Sequence, residues 1–307
     1  MGVRRVAGYI SLVLVLVSIV SLAVNSLEFG LDFTSGTSVR LNYSDAIVLG
    51  EVNDTLRSNG YADAVVVSFG SDRDIRIILP VDETVAVGEQ AAQAAEVGAT
   101  IVALLGMETA SEITLLGSDY VSAKVGGELA EQGGLGMLVA LGIIMVYISI
   151  RFQFKFAVGA VVALAHDVII TLGIFSIFTI EFNLNTLAAL LAIIGYSLND
   201  TIVVSDRIRE NFRRMRKGSP FELINKSLNQ TLSRTMITSF TTLLVLFSIL
   251  FVGGESTQGF AVALIIGVFI GTYSSIYIAS NVLLYMNISR EDLMIPVKEG
   301  SELDDIP

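Results

Sequence analysis

The sequence contains no cysteine and one histidine, His166. The first absence excludes disulfides, thiol catalysis and thiolate metal sites, and the second excludes a multi-histidine metal centre within the chain. Basic residues are also scarce. Nineteen Lys and Arg face thirty Asp and Glu, a formal net charge of −11. That balance argues against nucleic-acid binding, which needs a large clustered basic face. Apolar residues are abundant: 53% of the 307 residues are hydrophobic, and the mean hydropathy is +0.71. Such a composition, gathered in runs of about 18 residues or more, indicates membrane helices.

Six candidate spans follow from the hydropathy: 7–25, 133–150, 157–178, 186–205, 236–252 and 259–285. The first could be a signal peptide. Its apolar stretch from Val6 to Val24 exceeds the ~7–15 residues of a signal h-region, which favours an uncleaved anchor. Lys and Arg set the orientation. With a cytoplasmic N-terminus, 14 of the 19 basic residues fall on inner segments. These are Arg4 and Arg5, Arg151 and Lys155, eight between Arg207 and Arg234, and Arg290 with Lys298. The short outer loops 179–185 and 253–258 contain none. Both termini are therefore expected inside.

The one large insertion is expected outside, as a small α+β domain over 27–132. SVRLNY (38–43) alternates like a strand. Ser44 is a candidate N-cap for a helix from Asp45 that stops at Asn59-Gly60. The runs 63–69 and 74–80 flank a GSDR turn, 84–105 is an alanine-rich helix, and 111–117 is a last strand. The β-α-β-β-α-β order is the ferredoxin-like pattern, with a less regular α+β domain as the alternative. The organisation expected is an N-terminus and first span over 1–26, this domain, and a five-helix bundle over 133–285 with a cytoplasmic loop at 206–234. An acidic tail at 286–307 follows, whose segment 299–306 reads as a solubilising tail or a docking peptide.

The residues needing explanation lie inside the spans. GYSLNDTIVV (195–204) puts Asn199 and Asp200 on a membrane helix, where a central Asp costs roughly 2.5–3.5 kcal/mol even on an insertion scale. Tyr196, Asn199 and Asp200 share one helical face, which must meet protein or water rather than lipid. Helix three carries His166 and Asp167 near the midplane, with Thr171 one turn beyond. Helix five opens with Ser233, Arg234 and Thr235, followed by Thr238 and Ser239. Such hydroxyls line a hydrated path or join helices. In helix six, Gly267 and Gly271 form a small-xxx-small contact face, best read as packing.

Asp200 has two readings. One is a buried ion pair with Arg234 that fixes helix four against helix five. The other is an ion-coupling group: burial disfavours a charged carboxylate and an adjacent guanidinium favours it, so the pair can hold Asp200 between states. Arg234 stays charged throughout. His166 reads equally as a packed residue and as a relay partner of Asp167.

Five motifs in order, GLDFTSGT (30–37), RFQFKFAVGAVVALAHD (151–167), IIGYSLNDTIVVSDRIRENFRR (193–214), LSRTMITSFTTLLV (232–245) and GTYSSIYIAS (271–280), resemble the SecD/SecF family within the RND superfamily of transporters, and its SecF-like branch in particular. Two departures stand out: Ser35 where that family has glycine, and Ser122-Ala123 where it has Gly-Pro. The resemblance implies a multi-pass α-helical fold of six transmembrane helices, one RND-like half, in the bacterial inner membrane. It implies a SecD-like partner, the SecYEG channel and an exported unfolded polypeptide as contacts, in a lipid setting. It implies proton-motive coupling through Asp200 and Arg234; the polar residues of the spans add Asn199, Asp167 and His166 as relay candidates and Ser233, Thr235 and Thr238 as candidate lining hydroxyls. No cofactor is implied beyond a coupling proton or sodium ion, and no enzymatic activity. Three alternatives remain: an RND-type exporter of small amphiphiles, a passive scaffold in the translocase, and an intramembrane aspartyl protease built on Asp167 and Asp200, which needs a carboxyl separation near ~3 Å.

Overall fold

The computed structural model describes residues 2–34, 36–69, 71–79, 90–108, 111–121, 123–215, 217–289 and 292. The elements run α1 (Arg4–Val24), α2 (Leu31–Thr34), β1 (Gly36–Tyr43), α3 (Leu49–Ser58), β2 (Val65–Phe69), β3 (Ser71–Leu79), α4 (Gln90–Glu108), β4 (Ile113–Val121), α5 (Ala123–Arg151), α6 (Phe154–Ile177), α7 (Leu184–Arg214), α8 (Pro220–Val252) and α9 (Glu255–Tyr285). Six of these helices, α1 and α5 to α9, are long and apolar enough to cross a membrane.

The segment between α1 and α5 folds on its own sheet. Its strands pair in the order β2-β3-β1-β4, all antiparallel. Alternation along β1 sends Val39, Leu41 and Tyr43 to one face, where Ile75, Ile77 and Leu79 of β3 join them. Val52 and Leu56 of α3 and Ile101 and Leu105 of α4 cover that face. The expected β-α-β-β-α-β order is the order observed.

Local boundaries moved for identifiable reasons. The helix expected from Asp45 begins at Leu49. Ser44 does not cap it: its hydroxyl donates to Asp45 Oδ2 (3.0 Å), and its N–H bonds Glu112 O beside the sheet (3.1 Å). The stop at Asn59-Gly60 holds, with Gly60 at φ +95°, a conformation that favours glycine at a helix end. Gly70 of the GSDR turn, residues 84–89, Ser35, Ser122 and the tail segment 299–306 lie outside the described residues.

The segment 206–234, expected as a loop, is helical apart from the connection at 215–219. Hydropathy marks the apolar run, and the helices outlast it. Ser219 and Glu222 form a reciprocal capping box, and Pro220 sits at the first helical position, so α8 starts sixteen residues before the apolar run at 236. Phe212, Leu223 and Ile224 bury the hairpin's inner face, and Asn211 Nδ2 donates to Ser227 Oγ and Gln230 Oε1, each at 2.8 Å. Similarly, α5 begins at Ala123, ten residues ahead of the expected span.

In the bundle, α6, α7 and α9 are the most buried helices, and α1, α5 and α8 pack around them. Glycines set the close contacts. A Cβ on Gly267 would stand 2.3 Å from Ile193 Cγ1, and one on Gly271 would stand 3.2 Å from Ser197 Cβ. The expected packing face of α9 thus lies on α7. At the opposite end from the hairpin, Phe29, Phe33 and Phe182 cluster, and Asp32 Oδ2 accepts from the Leu184 N–H at the start of α7 (2.9 Å).

Candidate functional site

Asp167 is fully buried in α6 and is held from three sides. Its Oδ2 accepts from Ser197 Oγ of α7 (2.6 Å) and Ser274 Oγ of α9 (2.8 Å), and its Oδ1 lies 2.9 Å from His166 Nδ1. A carboxylate in an apolar interior is stable only when its oxygens are satisfied in this way. Gly271 packs beside the hub: a Cβ there would stand 3.2 Å from Ser197 Cβ, tight enough to press on this donor, and in ordinary contact with Asp167 Oδ2 at 3.5 Å. His166 is buried with it, and its Nε2 has no hydrogen-bond partner among the described residues. Its ring stacks on Tyr273 at 6.3 Å. The Tyr273 hydroxyl donates to Ala7 O of α1 (2.7 Å) and accepts from Ser11 Oγ (3.1 Å).

Beside Ser197 on α7, Tyr196 begins a second polar chain that joins three helices. The Tyr196 hydroxyl of α7 donates to Ser239 Oγ of α8 (3.2 Å), and Ser239 shares a hydrogen bond with Thr272 Oγ1 of α9 (2.7 Å). Asp200 lies four residues after Tyr196, and Thr235 lies four before Ser239. Because α7 and α8 run antiparallel, both step one turn in the same direction from that bond. Both are buried. Asp200 Oδ2 and Thr235 Oγ1 have no hydrogen-bond partner among the described residues. Two unpaired buried oxygens at one level of a helical hairpin are uncommon, and such groups mark places for water, an ion or a proton.

Of the two readings of Asp200, the fixed ion pair does not form. No contact within 4.0 Å joins Asp200 to the guanidinium of Arg234. Arg234 is on the exposed side of α8. Asp200 and Arg234 sit on adjacent helices, but the rotation of α8 turns Thr235 inward in place of its neighbour. Asn199 and Ser233 are exposed with Arg234. Thr238 satisfies itself on the backbone, donating to Arg234 O and Thr235 O. The structure therefore joins His166 with Asp167, places Asp200 level with Thr235, and leaves Asn199 of α7 and Ser233 and Arg234 of α8 exposed. Sequence reasoning missed Ser197 and Ser274 as carboxylate ligands; only their place one turn from Asp200 and within GTYSSIYIAS could have pointed to them.

Six spanning helices, a small sheet-bearing unit inserted after the first, and carboxylates buried among hydroxyls in the bundle define a polytopic membrane protein with an intramembrane acidic centre. The family model "Protein export membrane protein SecD/SecF, C-terminal" matches residues 100–289. The chain is 46% identical over 308 residues to the protein translocase subunit SecF of Pseudomonas aeruginosa, covering 100% of this chain and 97% of the relative. It is 42% identical over 295 residues to that of Escherichia coli O157:H7, covering 95% and 90%. The crystal structure of SecDF from Thermus thermophilus, a translocon-associated membrane protein, superposes with a TM-score of 0.82 at 35% identity. That match covers 94% of this chain and 38% of the SecDF chain. The chain therefore belongs to the SecD/SecF family of protein-export membrane proteins.

Proposed function

We propose that this chain is a SecF-type subunit of the protein translocase that couples ion flow across the bacterial inner membrane to late-stage export through SecYEG, together with a SecD-like subunit. The observation that carries this reading is the pair of unpaired buried oxygens, Asp200 Oδ2 and Thr235 Oγ1, at one level of the α7–α8 hairpin. An acid there can take up and release a proton, and Arg234 supplies a fixed positive charge nearby. The exposure of Asn199, Ser233 and Arg234 supports a partner: a guanidinium on a membrane helix needs protein or water against it. The SecDF chain, of which this chain spans 38%, supports a second half as that partner.

In this reading both termini are cytoplasmic, and the unit between α1 and α5 is a ferredoxin-like extracytoplasmic domain that meets the emerging unfolded polypeptide. The role is coupling and not catalysis. The hub at Asp167 positions α6, α7 and α9, with His166 beside it as the relay candidate. A potential of 100 mV supplies roughly 2.3 kcal/mol per charge moved, so several ions are needed for a large domain displacement. Protons are the coupling ion in this reading, and sodium is the alternative, since a carboxylate with hydroxyl neighbours can serve either.

The test is Asp200→Asn in inverted membrane vesicles. We expect the variant to insert and copurify with the SecD-like subunit while its export loses the dependence on an imposed pH gradient. Unaltered gradient-dependent export would overturn the coupling role. A response to a sodium gradient alone would reassign the ion.

A further inference from the structure

At the end of the bundle where α1 begins and α9 finishes, a cavity of about 540 Å³ opens between these two helices. This is the size of a small-molecule site. Arg4 and Arg5 line one end, and Tyr9, Leu12, Ile278 and Tyr285 contribute to the walls. The space exists for a local reason: Gly8 lines it, and a Cβ there would meet nothing within 4 Å. The two helices are joined beside it by Asn281 Nδ2 donating to Arg4 O (3.3 Å).

Neither guanidinium has a carboxylate within ion-pair distance among the described residues. Arg4 lies over the Phe221 ring, 5.0 Å from its centroid. That contact covers one face of the guanidinium and leaves its N–H edge available. Leu12 lies eight residues further along α1, about 12 Å by helical rise. The cationic end and the apolar wall are thus separated as a lipid phosphate is from the upper acyl chain. Tyr9 and Tyr285 are 70% and 86% exposed, the position of aromatic residues at a membrane boundary.

We propose that this groove binds an anionic phospholipid, its headgroup phosphate on Arg4 and Arg5 and its acyl chains along Leu12 and Ile278. Basic pockets between membrane helices take such headgroups. The chain's own acidic segment 299–306 offers carboxylates to the arginines but only Leu303 and Ile306 as large apolar side chains for the wall. A phospholipid satisfies both parts of the groove. The proposal needs only the membrane-spanning helices and is independent of ion coupling at Asp200.

Native mass spectrometry of the full chain in detergent tests it, with titration by phosphatidylglycerol and, separately, by phosphatidylcholine of the same acyl chains. Phosphatidylglycerol should be retained preferentially. The double variant R4Q/R5Q should weaken that binding by roughly tenfold or more and leave phosphatidylcholine unchanged. Because these arginines also bias membrane orientation, Gly8→Phe serves as a second variant: it fills the groove, keeps both charges and should give the same loss. R4K/R5K should keep most of the preference, and Asp200→Asn should keep all of it. Equal binding of the two lipids, or a preference untouched by both R4Q/R5Q and Gly8→Phe, would overturn the proposal. A preference seen only after removal of residues 293–307 would also overturn it, assigning the groove to the tail.

Discussion

Arg76 of β3 places Nη1 at 2.9 and 2.7 Å from the two carboxylate oxygens of Glu181, in the connection between α6 and α7. It is a contact between the sheet-bearing unit and the membrane bundle. The backbone runs alongside it: Phe182 N–H donates to Glu28 O (2.7 Å) and Gly30 N–H to Phe182 O (2.9 Å). A Cβ on Gly30 would stand 2.5 Å from Glu181 Oε1 and push that carboxylate from its place.

Breaking that contact should loosen the unit from the bundle. Arg76→Gln and Glu181→Gln should each lower stability by about 1–2 kcal/mol, and the double variant should be no worse than either, as expected for one shared interaction. Thermal denaturation of the four proteins in detergent gives the cycle. Fully additive losses would remove the pair as a tie.

The carboxylate hub makes a similar prediction at greater depth. Ser197→Ala and Ser274→Ala each remove one donor to Asp167 Oδ2 and should cost about 1–3 kcal/mol, the range for a buried acceptor losing a partner. The readout is the fraction remaining monodisperse after heating. Losses below about 0.5 kcal/mol for both would mean that Asp167 finds a substitute donor.

Gly267→Leu should be worse tolerated than Gly195→Leu. A Cβ at 267 meets Ile193 at 2.3 Å, whereas one at 195 meets nothing within 4 Å. Overpacking at the α7–α9 contact should cost about 1–3 kcal/mol. Expression and melting temperature of the two variants, compared side by side, check the difference.

Acid should weaken the anchor of the chain after α9. Asp292 accepts from Lys155 Nζ (2.6 Å) and from the Ser289 N–H (2.8 Å). The hydrogen bond from Lys155, then that from Ser289, hold its carboxyl below the ordinary carboxylate range. A lowered folded-state value stabilises above the unfolded value and is lost as pH falls through the lowered one. Melting in detergent from pH 7 downward should therefore show a loss below about pH 4 that Asp292→Asn lacks.

The six spans were legible because each is an apolar run long enough to cross a bilayer, and the sheet was legible because 38–43 and 74–80 alternate. The helix ends were not, since hydropathy falls silent once a helix leaves lipid. The Ser219-Pro220-Phe221-Glu222 signal was nonetheless present for α8. At the site, Asp200 and Asp167 announced themselves as charges among apolar neighbours. Which hydroxyl faces which acid depends on helix rotation, which period-3.6 spacing fixes within one helix and not between two. Hence Ser197 and Ser274 were missed, and Arg234 was expected where Thr235 stands.

The hairpin of α7 and α8 has a mechanical corollary. Asp200 lies fifteen or more residues from the connection at 215–219, about 22 Å or more along the axis. Stiffened by Asn211, Ser227 and the Ser219 cap, the two rods behave as a single arm. A tilt of about 10° at the acid would carry the tip through roughly 4 Å, by the helical rise alone. Such an arm would magnify a small rotation at the buried acid into a displacement of several ångströms at its far end.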